Sequence, residues 1–255
     1  MNKNNKVYIV LIILLIAFFF AMYFLVGKKE IQKQKEELTL LLGEETVWVY
    51  QNQNWIDNTQ NKNDYNWKKF QVFLDGKYQD EYYVWHDDKW YIFDDNKQPI
   101  NYTENIIALR SNFDVNLKTF TSEEIEKDNI VFKILKDKGI SENVDLTTCT
   151  QTKVDIDNDG KNESIYIVSN VFPMDFDPDT IFSLVYMEKD GNIYEIYSKE
   201  EKNDYNNGVK PYINSIIDVD NDGEFEIVIS YAGYSVEKIE NHLYKFINKQ
   251  FKEII

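Results

Sequence analysis

Two short stretches of the chain repeat one pattern, and this pattern decides the fold of the segment that contains them. Residues 154–168 read VDIDNDGKNESIYIV, and residues 217–231 read IDVDNDGEFEIVISY. The two stretches align without gaps. Each passes from an apolar residue through an acidic loop with one glycine into a β-branched and aromatic run that is typical of a strand. The pattern therefore predicts two equivalent strand–loop–strand units.

The acidic residues of each loop have the spacing of calcium ligands. Acids occupy loop positions 1, 3, 5 and 9, glycine occupies position 6, and the backbone carbonyl of position 7 can complete the set. Calcium takes six to eight oxygen ligands, whereas magnesium demands stricter octahedral geometry and fits less well. Both loops are therefore predicted to bind Ca2+. The predicted ligands are Asp155, Asp157, Asp159, Lys161 and Glu163 in the first loop, and Asp218, Asp220, Asp222, Glu224 and Glu226 in the second.

The loops differ from an EF-hand in their last ligand. An EF-hand needs a bidentate Glu at position 12, but Tyr166 and Ile229 stand there. DIDNDGKNESIYIV and DVDNDGEFEIVIS instead resemble the calcium loops of FG-GAP and VCBS-type repeats, known from integrin-like β-propellers and bacterial surface proteins. The resemblance covers about residues 145–255 and implies propeller-blade-like units. Two copies are too few to close a propeller, which has at least four blades.

The N-terminal segment has the length and composition of a membrane span. Val7 to Val26 reads VYIVLIILLIAFFFAMYFLV and carries no charge. At about 1.5 Å per residue, this stretch matches the roughly 30 Å hydrocarbon core of a bilayer. A cleaved signal peptide is the competing interpretation, but FAMYFLVGKKE lacks the small-residue cleavage site that one requires. Residues 1–29 are therefore predicted to be a cytoplasmic tail and an uncleaved transmembrane helix.

The orientation of this span is not decided by charge, because lysines flank it on both sides. The short N-terminal tail favours an N-inside orientation. The acidic loops favour it more strongly, because weak calcium sites fill where calcium is millimolar. The sequence thus predicts a single-pass protein of the cell membrane whose C-terminal part is extracytoplasmic.

The rest of the chain is predicted to be mainly β, with some helix, in three parts. Residues 30–43 resemble a helical stalk that ends at Gly43. Residues 44–103 contain all five tryptophans, and the runs TVWVY, KFQVFL, EYYVWH and KWYIFD predict a small antiparallel aromatic meander. Residues 104–255 are predicted to be a helix plus an antiparallel β domain that carries the two loops. A capping-box pattern of Thr121 with Glu124 predicts where the helix starts, and Gly139 ends it.

Composition limits the function. The chain of 255 residues has 44 acidic and 28 basic residues, a net charge of −16, which does not suit nucleic-acid binding. A single cysteine excludes a disulfide within the chain, and no HExxH, GxSxG or phosphate-loop motif occurs. The sequence predicts an extracytoplasmic, calcium-stabilised module that binds a cell-envelope polymer or a protein partner. An envelope-acting, glycosidase-like hydrolase and an accessory subunit of a membrane complex remain alternatives.

Overall fold

The computed structural model describes most of the chain beyond the N-terminal segment. The described residues are 38–43, 45–52, 54–74, 77–101, 106–111, 114–171, 180–202, 208–219, 222–233 and 239–255. The predicted span from Val7 to Val26 and the first part of the predicted stalk lie outside these ranges. Among the described residues, no helix combines the length and the apolar character needed to cross a bilayer.

The first sheet is antiparallel and has eight strands. These strands are β1 Leu38–Leu42, β2 Thr46–Gln51, β3 Asn54–Asp57, β4 Lys69–Leu74, β5 Lys77–His86, β6 Trp90–Phe93, β7 Pro99–Ile100 and β8 Ile106–Arg110. Their order across the sheet is β3-β2-β1-β8-β4-β5-β6-β7. A 3-10 helix, Thr59–Tyr65, connects β3 to β4. The predicted aromatic strands are confirmed, and β4 to β7 pair consecutively as a meander.

The prediction of a helical stalk over residues 30–43 is wrong for residues 38–42. Leu38–Leu42 form a strand that pairs with β2 on one side and with β8 on the other. All five of its side chains are buried, because each face of this strand meets a hydrophobic core. The run LTLLL therefore lacks the apolar–polar alternation that would have indicated a strand.

The predicted boundary between residues 103 and 104 is also crossed by the structure. Strand β8, which follows this boundary in the chain, lies between β1 and β4 in the first sheet. The next strand, β9 Asn116–Leu117, pairs instead with the C-terminal strands. The chain thus leaves the first sheet after Arg110.

The remaining strands form two antiparallel sheets of five strands each. The second sheet has the order β10-β11-β12-β13-β14, and the third has the order β18-β17-β16-β15-β9. The strands are β10 Ser122–Glu124, β11 Thr148–Val154, β12 Glu163–Ser169, β13 Thr180–Lys189, β14 Asn192–Lys202, β15 Val209–Asp218, β16 Glu226–Gly233, β17 Ile239–Ile247 and β18 Gln250–Glu253. The C-terminal hairpin predicted around Asn248 and Lys249 is confirmed, since both residues have the positive φ of a tight hairpin turn.

The predicted helix exists but starts later than its capping box suggests. Helix α1 spans Asn129–Asp137, and the carboxylate of Asp128 caps it by accepting hydrogen bonds from two backbone N–H groups. Ser122–Glu124 pair instead with β11 as an edge strand. Strand pairing therefore overrides the local capping pattern. The helix ends as predicted, with Gly139 in the left-handed region.

The elements pack as four layers. Helix α1 covers the outer face of the second sheet through Val131, Ile134 and Leu135. The second and third sheets pack face to face around an apolar core that both supply. The opposite face of the third sheet packs against β1, β2 and β8 of the first sheet. This stacking leaves the loops that join the strands at the ends of the sheets.

Candidate metal centre

The two acidic loops occupy equivalent places in the second and third sheets. The first loop joins β11 to β12, and the second joins β15 to β16. In both sheets these two strands are adjacent and antiparallel. The strand–loop–strand context that the sequence predicts is therefore present twice.

The first loop brings its three aspartates together. Asp155, Asp157 and Asp159 each offer a carboxylate oxygen, and these oxygens lie within 4.8 Å of one another. The loop's own backbone orients them, because the N–H groups of residues 159 and 160 donate to the two oxygens of Asp155, both at 3.1 Å. The N–H group of Lys161 donates to Asp159 at 2.8 Å.

The second loop repeats these hydrogen bonds. The N–H groups of Asp222 and Gly223 donate to the two oxygens of Asp218, both at 3.2 Å. The N–H group of Glu224 donates to Asp222 at 2.8 Å. Asp220, the predicted counterpart of Asp157, lies outside the described residues. The described ligands of the second loop thus have the arrangement of their counterparts in the first.

The glutamate at position 9 lies on the buried side of each loop and binds the loop backbone. Glu163 accepts a hydrogen bond from the N–H of Ile156 at 2.9 Å, and Glu226 accepts one from the N–H of Val219 at 3.1 Å. The two glutamates are only 3% and 1% exposed. A buried carboxylate is costly unless a cation or several donors compensate it. Each loop therefore requires a positive charge near its glutamate.

A lysine from the next strand supplies that charge in both loops. The ammonium of Lys189 lies 2.6 Å from Glu163 Oε1 and 2.7 Å from Asp157 Oδ2. The ammonium of Lys245 lies 2.7 Å from Glu226 Oε1 and 2.8 Å from Asp222 Oδ2. Each lysine thus bridges the position-9 glutamate and one aspartate of its loop.

The electrostatics of the first loop follow from this bridge. Burial lowers the pKa of Lys189, but the carboxylates of Asp157 and Glu163 outweigh burial, and the pKa lies above its usual value. The pKa of Asp157 is lowered, chiefly by the hydrogen bond that it accepts from Lys189. Both groups are therefore charged at neutral pH.

The two loops also contact each other directly. The backbone N–H of Phe225 donates to the carbonyl of Ile156 at 2.9 Å. The side chain of Asn158 donates to the carbonyl of Gly223, also at 2.9 Å. The ammonium of Lys118 lies 2.6 Å from the side-chain oxygen of Asn158 and 4.6 Å from the centre of the Phe225 ring. The loops therefore form one continuous surface at one end of the two packed sheets.

The donor set of the first loop suits a hard divalent cation. Carboxylate oxygens converge in the first loop, and the hydrogen bonds from the backbone occupy only part of the lone pairs that each carboxylate offers. The side chain of Lys161 is exposed and carries no oxygen. Lys161 can therefore contribute only its backbone carbonyl, as the sequence predicts for position 7. A loop whose carboxylates are all neutralised by a metal ion would not need the lysine bridges.

Sequence reasoning identified the acidic residues but missed the lysines. The stretch of chain from Glu163 to Lys189 is longer than the stretch from Glu226 to Lys245. A gapless comparison of the two repeats therefore cannot align the lysines. Strand pairing aligns them, because Ser164 pairs with Glu188 and Ile227 pairs with Tyr244, which puts each lysine opposite the glutamate of its loop.

A second surface feature is an aromatic face on the first sheet. Trp85 and Phe93 are half-buried, and the ring of Trp67 lies against both, at 5.2 and 5.0 Å between ring centroids. Trp67 is 40% exposed, and the ammonium of Lys97 lies 5.0 Å from its ring centre. Trp48 and Trp90, in contrast, are buried in the core. The tryptophans thus divide between packing and surface.

No family model matches the chain, and neither a curated protein nor a solved structure is found to be similar to it. The resemblance to FG-GAP and VCBS-type repeats therefore stays a prediction, carried by the residues of the two loops.

Proposed function

We propose that this chain is a calcium-stabilised binding module that a single N-terminal span holds at the outer surface of the cell membrane. The observation that carries the proposal is the repetition of one acidic arrangement in two loops. Hydrogen bonds between equivalent atoms orient the described carboxylates in both. An isolated acidic turn has no reason to occur twice at equivalent places in two packed sheets.

Each loop would hold one calcium ion through its carboxylates and one backbone carbonyl. The ligands in the first loop are Asp155, Asp157, Asp159, Glu163 and the carbonyl of Lys161. Their counterparts in the second are Asp218, Asp220, Asp222, Glu226 and the carbonyl of Glu224. Bound calcium would neutralise acids that otherwise repel one another and would fix the connection between two adjacent strands.

The chemistry of such sites supports an extracytoplasmic location. Calcium sites of extracellular modules have dissociation constants of about 10⁻⁴ to 10⁻³ M, so they fill where calcium is millimolar. The uncharged stretch from Val7 to Val26 supplies a membrane anchor of suitable length. In this arrangement the acidic, calcium-stabilised part of the chain faces the cell envelope.

The aromatic face of Trp67, Trp85 and Phe93 is the surface that we assign to binding. Exposed aromatic rings are typical of recognition surfaces, because they offer a large apolar area with few rotatable bonds. A cell-envelope polymer with sugar rings would stack on this face. We expect Trp67→Ala to reduce binding to isolated envelope polymer about tenfold. Tyr78→Ala removes a similarly exposed ring, at 53%, and should leave binding unchanged.

The calcium proposal is tested by thermal unfolding of the full-length chain in detergent solution. Binding to the folded state stabilises it by about 2.7 kcal/mol per site at a hundredfold excess over the dissociation constant. The melting temperature should therefore be several degrees higher in millimolar calcium than in chelator, and magnesium should do much less. Asp157→Ala and Asp220→Ala should each remove part of the gain, and the double variant nearly all of it.

Asp80→Ala is the matched control, because this aspartate is exposed on β5 in the first sheet. Its calcium-dependent gain should equal that of the wild type. A melting temperature that is the same in calcium and in chelator would contradict the proposal.

A further inference from the structure

We propose that Lys189 and Lys245 are tethered counter-ions, which neutralise the two acidic loops in the metal-free protein and must be displaced when calcium binds. The inference rests on the proposed function for its second half. Its first half, that the lysines neutralise the loops, concerns the metal-free protein alone and can be tested without calcium.

The contacts of the two lysines assign them this role. Each ammonium lies within 2.8 Å of two carboxylate oxygens of its own loop, one from the position-9 glutamate and one from an aspartate. The side chains of Lys189 and Lys245 are mostly buried, so solvent does little to weaken these ion pairs. Each ammonium therefore stands between carboxylates that calcium would also require.

The repetition makes a chance surface contact a poor explanation. The two lysines come from equivalent strands, β13 and β17, and each stands opposite the glutamate that begins the strand after the loop. The connections that bring them there differ in length, the one that leads to Lys189 being the longer. A lysine thus reaches the position-9 glutamate of each loop along a path of different length, and its second contact is the aspartate at position 3 in the first loop and at position 5 in the second.

Burial explains why a tethered cation is needed. Glu163 and Glu226 lie under their loops, away from solvent, and a buried carboxylate without a partner strongly destabilises the folded state. A calcium ion can supply the charge only when calcium is present. The lysine supplies it whenever calcium is absent and keeps the loop closed on β12 or β16 in the metal-free protein.

Competition follows because both cations use the same oxygens. Calcium can take Glu163 Oε1 and Asp157 Oδ2 only after the ammonium of Lys189 leaves them. The apparent affinity for calcium then equals the intrinsic affinity multiplied by the fraction of molecules in which the lysine is already displaced. The lysines would therefore set the calcium concentration at which the loops fill, and would weaken both sites.

The first experiment measures thermal unfolding of the full-length chain in detergent solution with chelator. Lys189→Met retains the length and apolar stem of the side chain but leaves Glu163 without its cation. We expect the melting temperature to fall by about 10 °C. Lys189→Arg keeps the charge and should recover most of this loss. Lys153→Met, an equal charge change at an exposed position of β11, should shift melting by no more than about 2 °C.

A double variant separates lost charge from lost packing. Lys189→Met combined with Glu163→Gln removes the lysine and the charge that it neutralises. If the lysine acts as a counter-ion, the double variant should melt higher than Lys189→Met alone. If it melts lower still, the lysine acts only by packing, and the inference fails.

The second experiment titrates the same proteins with calcium. Without the competing ammonium, the first loop of Lys189→Met should bind calcium at least about tenfold more tightly than in the wild type. Lys245→Met should have the same effect on the second loop, and Lys153→Met should have none.

The outcomes separate this inference from the proposed function. Equal melting of Lys189→Met and the wild type in chelator overturns the counter-ion role. An unchanged calcium affinity in the lysine variants overturns displacement while calcium binding itself stands. A third outcome is that Lys189→Met melts lower than the wild type in chelator but no variant binds calcium. This outcome rejects the proposed function and displacement together, and it indicates that the lysines neutralise the loops permanently.

Discussion

Each acidic loop is shaped by backbone N–H groups that donate to its own carboxylates. The chain can turn back far enough for these contacts because position 6 has a positive φ, 86° at Gly160 and 89° at Gly223. A Cβ atom added at either glycine would meet nothing within 4 Å, so crowding does not require glycine there. The requirement is conformational, since left-handed backbone is unfavourable for other residues.

Gly160→Ala is therefore expected to destabilise the protein by about 1–2 kcal/mol through backbone strain alone. The change should also weaken calcium binding at the first loop, because strain would move Asp155 and its N–H donors apart. Chemical denaturation in chelator measures the first effect, and calcium titration measures the second. Lys161→Ala is the control, since this exposed side chain makes only long ion-pair contacts, 3.9 Å to Asp159 and 3.6 Å to Asp190. Equal stability of Gly160→Ala and Lys161→Ala would contradict the account of the turn.

The residues of the site were predictable to different degrees. Spacing alone identifies the aspartates, because alternate acids before a glycine must face one ion or one another. Lys189 and Lys245 were not predictable, because their role depends on strand pairing and not on distance along the chain. The contact of Asn158 was not predictable for a similar reason, since its partner is the carbonyl of Gly223 in the other loop.

Strand β1 shows how burial can hide an element from sequence analysis. Its residues touch apolar cores on both faces, so LTLLL carries no period of two, and the charged residues before it resemble a helix. The strands of the aromatic meander were predictable because turn residues separate short apolar runs. The start of α1 was not, since pairing of Ser122–Glu124 with β11 moves the cap from Thr121 to Asp128.

Leu40→Ala tests the placement of β1. Leu40 is fully buried in the core that the first and third sheets share, so we expect a loss of about 2–5 kcal/mol in the free energy of unfolding. Ile56→Ala in β3 is the matched control, because Ile56 is 47% exposed, and its loss should stay within about 0.5 kcal/mol. Urea denaturation measures both. A loss at Leu40 as small as that at Ile56 would indicate an exposed stalk and contradict the strand.

At the scale of the whole molecule, the first and third sheets depend on each other. Ile217, Val228 and Leu243 of the third sheet and Val219 of the second loop are buried in one apolar cluster with leucines of β1. A polar contact crosses the same interface, where Asn241 donates to the hydroxyl of Thr46 at 2.9 Å. The division that the sequence suggests near residue 104 therefore runs through one shared core.

A fragment of residues 121–255 is accordingly expected to fold poorly. It keeps both acidic loops but exposes the face of the third sheet that the first sheet covers, and it lacks β9, which pairs with β15. We expect it to aggregate or to unfold without a cooperative transition, whereas residues 30–255, which retain every layer, should unfold cooperatively. Circular dichroism and light scattering measure both properties. A monomeric 121–255 fragment that melts as sharply as the longer one would show two independent domains.

The most direct test of the central claim is a calorimetric titration of calcium into the full-length, chelator-stripped chain in detergent solution. Two loops with equivalent described ligands predict two calcium ions per chain, with dissociation constants between about micromolar and millimolar. Asp155→Ala should leave one site and Asp218→Ala the other. Binding heat for two ions, reduced to one in each variant, is the predicted result. No binding heat at millimolar calcium would contradict the claim that these loops are calcium sites.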